Sequence, residues 1–207
     1  LFVGGDILRH WRTPGGLAAV VCLDMLKQPH LLIAGSTGSG KSVLINSLIY
    51  TALYKSPNQC KFILIDPKRV ELIDYKPLPH TISYNSELPG ILEALQTAID
   101  LMETRYKTMQ RQRLKKSNAT DIYIIIDEYA DLVIQAKKQV ERYIIRLSQL
   151  GRAANIHLIL ATQRPTRDII TGAIKVNLDS RIALRCPSPQ DSRNIIDIKG
   201  AETLPRY

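Results

Sequence analysis

Leu31-Leu32-Ile33-Ala34 runs directly into Gly35-Ser36-Thr37-Gly38-Ser39-Gly40-Lys41-Ser42, which fits GxxxxGK[ST] at every fixed position. The apolar run follows Pro29 and is short and continuous, the pattern of a strand buried on both faces. Beyond the loop, Val43, Ile45, Leu48, Ile49, Ala52 and Leu53 fall roughly on one face of a helix expected over Ser42–Tyr54. Strand, glycine-rich loop and helix in that order make a phosphate cradle. The glycines allow positive φ and bring backbone N–H groups against phosphate oxygens, and the helix N-terminus adds partial positive charge. Lys41 is expected to reach the β- and γ-phosphates, and the Ser42 hydroxyl to ligate Mg²⁺. Gly35 through Ser42, with Val43 after them, are the candidate nucleotide contacts. A Gly/Ser-rich turn without chemistry could share this composition but has no need of the strand–loop–helix setting.

Outward from the loop, helix and strand alternate. Lys61–Asp66 reads as a second buried strand stopped by Pro67, and the stretch from there to Gly90, with Pro77, Pro79 and Pro89, reads mostly as loop. Ile91–Met109 carries apolar residues at helical spacing, Ile122–Asp127 is a third strand, and Val140–Leu150 is a helix that Gly151 ends. Ile156–Thr162 is a fourth strand and Ile182–Leu184 belongs to a fifth, while Leu1–Gly16 reads as loop and edge structure. The pattern predicts an α/β fold with a central, mostly parallel sheet flanked by helices. Asp127 closes the third strand, where a carboxylate is needed for the Mg²⁺ shell. Glu128 follows, placed to orient and deprotonate an attacking water. Thr162-Gln163 ends the fourth strand, where a polar side chain can sense the γ-phosphate. Acidic or polar residues that only start a turn would look the same in isolation.

The chain has 207 residues, 45% apolar and 23% charged, which suits one large domain and excludes a disordered tail. Its three cysteines, Cys22, Cys60 and Cys186, form no CxxC pair, so neither a disulfide framework nor a zinc cluster is expected. No apolar run is long enough to span a bilayer and no signal peptide opens the sequence, so any membrane attachment is expected from a part outside it. Lys and Arg outnumber Asp and Glu by 28 to 19, a net charge of +9 that favours a polyanionic partner or serves solubility.

Further runs occur in a fixed order: Ile65-Asp66-Pro67-Lys68, Asp127-Glu128-Tyr129-Ala130-Asp131-Leu132 and Ala161-Thr162-Gln163-Arg164-Pro165, then Ile169-Ile170-Thr171-Gly172 and Asp191-Ser192-Arg193. Together with the phosphate loop, they resemble the FtsK/SpoIIIE family of bacterial double-stranded DNA translocases, from about Gly5 to Leu204. The resemblance implies a RecA-like P-loop ATPase domain over residues 29–207, with 1–28 as an N-terminal edge segment and further strands expected after Leu204. It implies a cytoplasmic homo-hexameric ring that binds ATP and Mg²⁺ between subunits and passes duplex DNA through its centre. In that setting Lys41, Glu128, Gln163 and Arg152 make the catalytic set, Arg152 as an arginine finger aimed at the neighbouring subunit. Arg164, Lys175 and Arg193 match positions that in the family contact the DNA backbone, and Thr171 and Gly172 lie between the first two on a segment placed to track phosphates. Ser188-Pro189 stands where many relatives carry a lysine. The roles implied are chromosome segregation or transfer of a plasmid or integrative element. A related ring ATPase for protein export or conjugative coupling is the alternative, and a nucleotide-gated scaffold would not need Glu128. Arg105, Lys107, Arg111, Arg113, Lys115 and Lys116 form a second basic cluster, read as a solvated helix end or else an outer DNA-contacting surface.

Overall fold

In the computed structural model, which describes residues 6–12, 18–25 and 27–205, the apolar runs are strands and the stretches between them mostly helices. The order is β1 (Asp6–Arg12), β2 (Ala18–Asp24), β3 (His30–Ala34), α1 (Lys41–Ala52), β4 (Cys60–Ile65), β5 (Thr81–Asn85), α2 (Leu88–Gln112), β6 (Asp121–Ile126), α3 (Tyr129–Leu150), β7 (Ile156–Thr162), α4 (Gly172–Asn177), β8 (Ser180–Ala183) and α5 (Pro189–Ile196). Strands β3 to β8 form one sheet in the order β5-β4-β6-β7-β3-β8, every neighbouring pair parallel. Parallel strands need both faces covered, and here the alternation along each strand feeds two separate cores. Leu32, Ile63, Ile65, Ile124, Ile126, Leu158 and Leu160 pack with α2 and α3. Leu31, Ile33, Phe62, Leu64, Ile125 and Ile159 pack with α1 and with Leu72 and Tyr75.

Several expectations are adjusted. The six-stranded sheet is wholly parallel. Within Leu1–Gly16, read as loop and edge, Asp6–Arg12 is a strand that pairs antiparallel with Ala18–Asp24 in a separate two-stranded sheet. Leu1–Gly5 and residues 13–16 lie outside the described residues. The proline-rich stretch before Gly90 contains β5, an edge strand that is half-buried and so lacks a continuous apolar run. Pro89 and Gly90 belong to the first turn of α2, where a proline's missing N–H costs nothing. Helix α3 begins at Tyr129, eleven residues before its expected start, and kinks at Ala136 (φ −150°, ψ 50°). Gly151 does end α3, but in right-handed conformation with φ −59°. Glycine is needed there because a Cβ would lie 2.5 Å from the Leu147 carbonyl oxygen and 2.6 Å from that of Ile156. Cys60 and Cys186 are buried free thiols.

Candidate functional site

In a parallel sheet all strands end on one edge, and the loops leaving that edge converge. The loop after β3, Asp127-Glu128 after β6, Thr162-Gln163 after β7 and Asp66 after β4 all leave the sheet there. The phosphate loop is built as its sequence requires. Gly38 and Gly40 have positive φ (72° and 90°), and Gly40 starts α1 with no side-chain cap and no acidic residue in the first turn. The first N–H groups of a helix have no intrahelical acceptor, so they are left for an anion. The loop is tied to both neighbouring strands. Ser36 donates from its N–H (2.8 Å) and its hydroxyl (3.0 Å) to the Arg185 carbonyl after β8. Gly35 N–H donates to the Thr162 carbonyl at 3.3 Å, and the Thr37 hydroxyl to Gln163 Oε1 at 2.6 Å.

Lys41 is buried, and its Nζ donates to Asp127 Oδ1 at 2.5 Å and to the Asp127 carbonyl at 2.7 Å. Burial pushes the Asp127 carboxyl above the usual carboxylate range, and Lys41 pulls against it. Asp127 Oδ2 is buried with no hydrogen-bond partner among the described residues. Glu128 is buried beside it: its Oε1 accepts from the Thr162 hydroxyl at 2.6 Å, both its oxygens accept from the Gln163 N–H at 3.2 Å, and its Oε2 pairs with Lys68 Nζ at 3.2 Å. Ser42 is half-buried and Val43 exposed at the start of α1. The structure thus gathers Gly35–Val43, Asp127, Glu128 and Gln163 on one edge of the sheet.

Arg152 is elsewhere. It lies in the turn between α3 and β7, at the edge where strands begin, and its side chain is exposed. β3 and β7 are paired in parallel, so the length of the sheet, about 15–20 Å, separates it from Lys41 of its own chain. The turn that carries it is pinned. Arg105 is only 9% exposed and donates to the carbonyls of Ala154 (2.5 Å), Asn155 (3.2 Å) and Thr120 (2.8 Å). The Asn155 amide donates to the Ser117 and Ala119 carbonyls at 3.0 and 2.9 Å. Arg105 is therefore not part of a solvated helix end, and burial pushes its guanidinium down from its usual value. The other five basic residues of that cluster are exposed, as a helix end should be.

The DNA-contact candidates fall around α4 and α5. A cleft of about 510 Å³ is lined by Arg167, Ile170, Gly172, Lys175, Arg193, Asn194 and Asp197. It brings Lys175 and Arg193 together and adds Arg167, whose isolated charge carried no sequence signal. Arg164 is exposed but does not line the cleft. Lys175 is committed to the Asp197 carboxylate, which also accepts from Arg181 at 2.6 Å; these bonds hold the Asp197 carboxyl below its usual range. Thr171 caps α4, accepting from the Ile174 N–H at 3.4 Å and donating to the Glu141 carboxylate.

The sequence profile of the FtsK/SpoIIIE family matches residues 12–124 and 115–167. The chain belongs to the FtsK/SpoIIIE family. A DNA translocase FtsK from Caldanaerobacter subterraneus subsp. tengcongensis is 47% identical over 197 residues, covering 89% of this chain and 28% of that protein. One from Lactococcus lactis subsp. cremoris is 46% identical over 202 residues, covering 87% and 27%. The chain therefore spans little more than a quarter of the length of these curated relatives. Among solved structures, the pCW3 conjugation coupling protein TcpA, in its monomer form with ATPγS, superposes with a TM-score of 0.84 at 25% identity, over 98% of this chain and 60% of that one. The cytoplasmic domain of the type VII secretion ATPase EccC from Thermomonospora curvata gives a TM-score of 0.82 at 23% identity, over 98% and 26%. The latter likeness is one of fold. The Lys68–Glu128 pair carries no local sequence signal, because it depends on which loops the sheet order brings together.

Proposed function

We propose that this chain is the motor domain of an ATP-driven double-stranded DNA translocase that hydrolyses ATP at the boundary between subunits of a homo-hexamer. The observation that carries the reading is the buried Asp127–Glu128 pair facing the Lys41 loop, in a chain up to 47% identical to proteins named DNA translocase FtsK. In this reading the N–H groups of Gly35–Val43 hold the phosphates of ATP, and Lys41 neutralises the β- and γ-oxygens. Ser42 Oγ and the unpartnered Asp127 Oδ2 are hard oxygen donors that suit Mg²⁺, which when bound neutralises phosphate charge. Glu128 takes a proton from water as the water oxygen bonds to the γ-phosphorus. The bond from that phosphorus to the β–γ bridging oxygen breaks, and ADP leaves with the electron pair. Gln163, tied to Thr37 and through its N–H to Glu128, senses the γ-phosphate side of the site. Arg152 supplies its cation to a neighbouring copy, since its own site is a sheet length away.

DNA gripping is assigned to Arg193 and Lys175 in the cleft, with Arg164 and Thr171 outside its lining, through contacts to phosphate and sugar and none to base edges. No helix among the described residues is long and apolar enough to cross a membrane. The proposed location is the cytoplasm, with any anchor supplied by another part of the protein. A secretion or conjugative-coupling ATPase is the second reading, favoured by the fold of TcpA and EccC.

The test is ATPase activity with and without plain duplex DNA across protein concentration. Stimulation by duplex of any sequence, rising more than linearly with protein, is expected. A rate indifferent to DNA would pass the assignment to the second reading. Glu128→Gln should bind ATP and lose about 10²–10⁴-fold in turnover. Arg152→Ala should assemble yet hydrolyse about 10³-fold more slowly.

A further inference from the structure

The Asp66-Pro67-Lys68 run leaves β4 at the same edge as the phosphate loop, and nothing above gives it a task. Asp66 is fully buried and ties a knot. Its Oδ2 accepts from the Leu72 N–H at 3.0 Å and from the Tyr84 hydroxyl at 3.3 Å. Its carbonyl accepts from the Arg69 N–H at 3.1 Å, and its own N–H donates to the Asn85 carbonyl at 2.9 Å. Pro67 fixes φ immediately after it. The loop from β4 is thus closed on itself and on β5, and the side chain it sends back over β6 is Lys68. Lys68 is 42% exposed, yet its Nζ reaches Glu128, which is 2% exposed.

Glu128 is consequently held from both sides. β7 supplies the Thr162 hydroxyl and the Gln163 N–H, and the loop after β4 supplies Lys68. β4 and β7 are the two strands that flank β6. A carboxylate held from one side only can swing about its side-chain torsions; one held from two sides keeps its aim. We infer that Lys68 is a positioning residue for the Glu128 carboxylate and that Asp66 fixes the loop that presents it. This rests on the reading of Glu128 as the base that activates water. A base displaced by about 1 Å can cost on the order of 10²-fold in rate while substrate still binds.

The experiment measures DNA-stimulated ATPase of the assembled protein with Lys68→Ala, Lys68→Gln and Lys68→Arg, each alone and with Glu128→Gln, together with ATPγS affinity. For Lys68→Ala and Lys68→Gln, kcat is expected to fall about 10- to 100-fold, with KM for ATP and ATPγS affinity within about twofold of the parent. Lys68→Arg should recover most of the rate. In the Glu128→Gln background, removing Lys68 should change nothing further, because the residue it serves is gone. Unchanged or faster turnover in both Lys68→Ala and Lys68→Gln, with Glu128→Gln inactive, would overturn this inference and leave the base assignment standing. A further loss in the double variant, or a weakened ATPγS affinity, would overturn it too, by showing that Lys68 serves the nucleotide. Full turnover by Glu128→Gln would remove the base itself, and this inference with it.

Discussion

Lys41 and Asp127 form an ion pair with both partners buried, 2.5 Å apart. Such a pair adds little over an apolar substitute, but breaking it strands a charge. Lys41→Ala should therefore cost about 3 kcal/mol of stability in addition to nucleotide binding. The carboxyl left behind escapes by keeping its proton. Its pKa in the folded chain then rises further above the unfolded value, so the loss should grow as pH climbs from about 4. Urea unfolding at pH 5 and pH 8 checks the direction. The Lys41→Ala, Asp127→Ala double variant should recover much of the stability and none of the binding. At Gly35, a Cβ would sit 2.6 Å from Leu184 Cβ and 2.8 Å from Ser39 Oγ. Gly35→Ala should cost about 1–3 kcal/mol and move the loop against the β8 end, read as a lower melting temperature with weaker ATPγS binding.

Helix α2 does more than cover the sheet. Arg105 clamps the turn that carries Arg152, and the Tyr106 hydroxyl donates to the Leu150 carbonyl at 2.9 Å just before it. Arg105→Met would leave three carbonyls short of a donor, at an expected cost of about 2–4 kcal/mol in urea unfolding. The sequence held a signal for this burial: Met102, Arg105 and Met109 share one stripe of the helix, so the arginine stands in an apolar row. Read as one of six basic neighbours, it looked like surface. The same contrast runs through the other elements. β3, β4, β6 and β7 are legible because parallel central strands are apolar throughout. β5 is not, being a half-buried edge strand. The first part of α3 is masked because Tyr129, Ala130, Leu132 and Val133 are all buried, which blurs helical periodicity. In the site, the phosphate loop and both carboxylates could be read from local pattern. Lys68 and Arg167 could not, because their neighbours are 60 residues away in sequence or belong to other segments.

Two bulk properties belong to the molecule as a whole. His30, at the start of β3, is pushed down to about 3 by burial with His157 close by, and its Nδ1 accepts from the Leu158 N–H at 3.1 Å. The folded chain keeps this ring neutral where the unfolded chain would protonate it. Stability should therefore fall as pH drops from about 6.5 toward 3, by about 2 kcal/mol at pH 5, and His30→Asn should flatten that slope in pH-dependent melting. The excess positive charge, +9 overall, should make duplex binding steeply salt-dependent. Replacing Arg167 and Arg193 by alanine should weaken binding alike on all sequences and lower the salt slope by about 2, measured by anisotropy titration. Last, the cradle and Arg152 sit at opposite ends of the sheet. Under the role proposed for Arg152, a cradle is completed only when another copy brings that guanidinium to it. Head-to-tail stacking repeats that contact from copy to copy and is bounded when its rotation closes on itself. The first copy of an open stack would always be idle, which favours a closed circle over a filament.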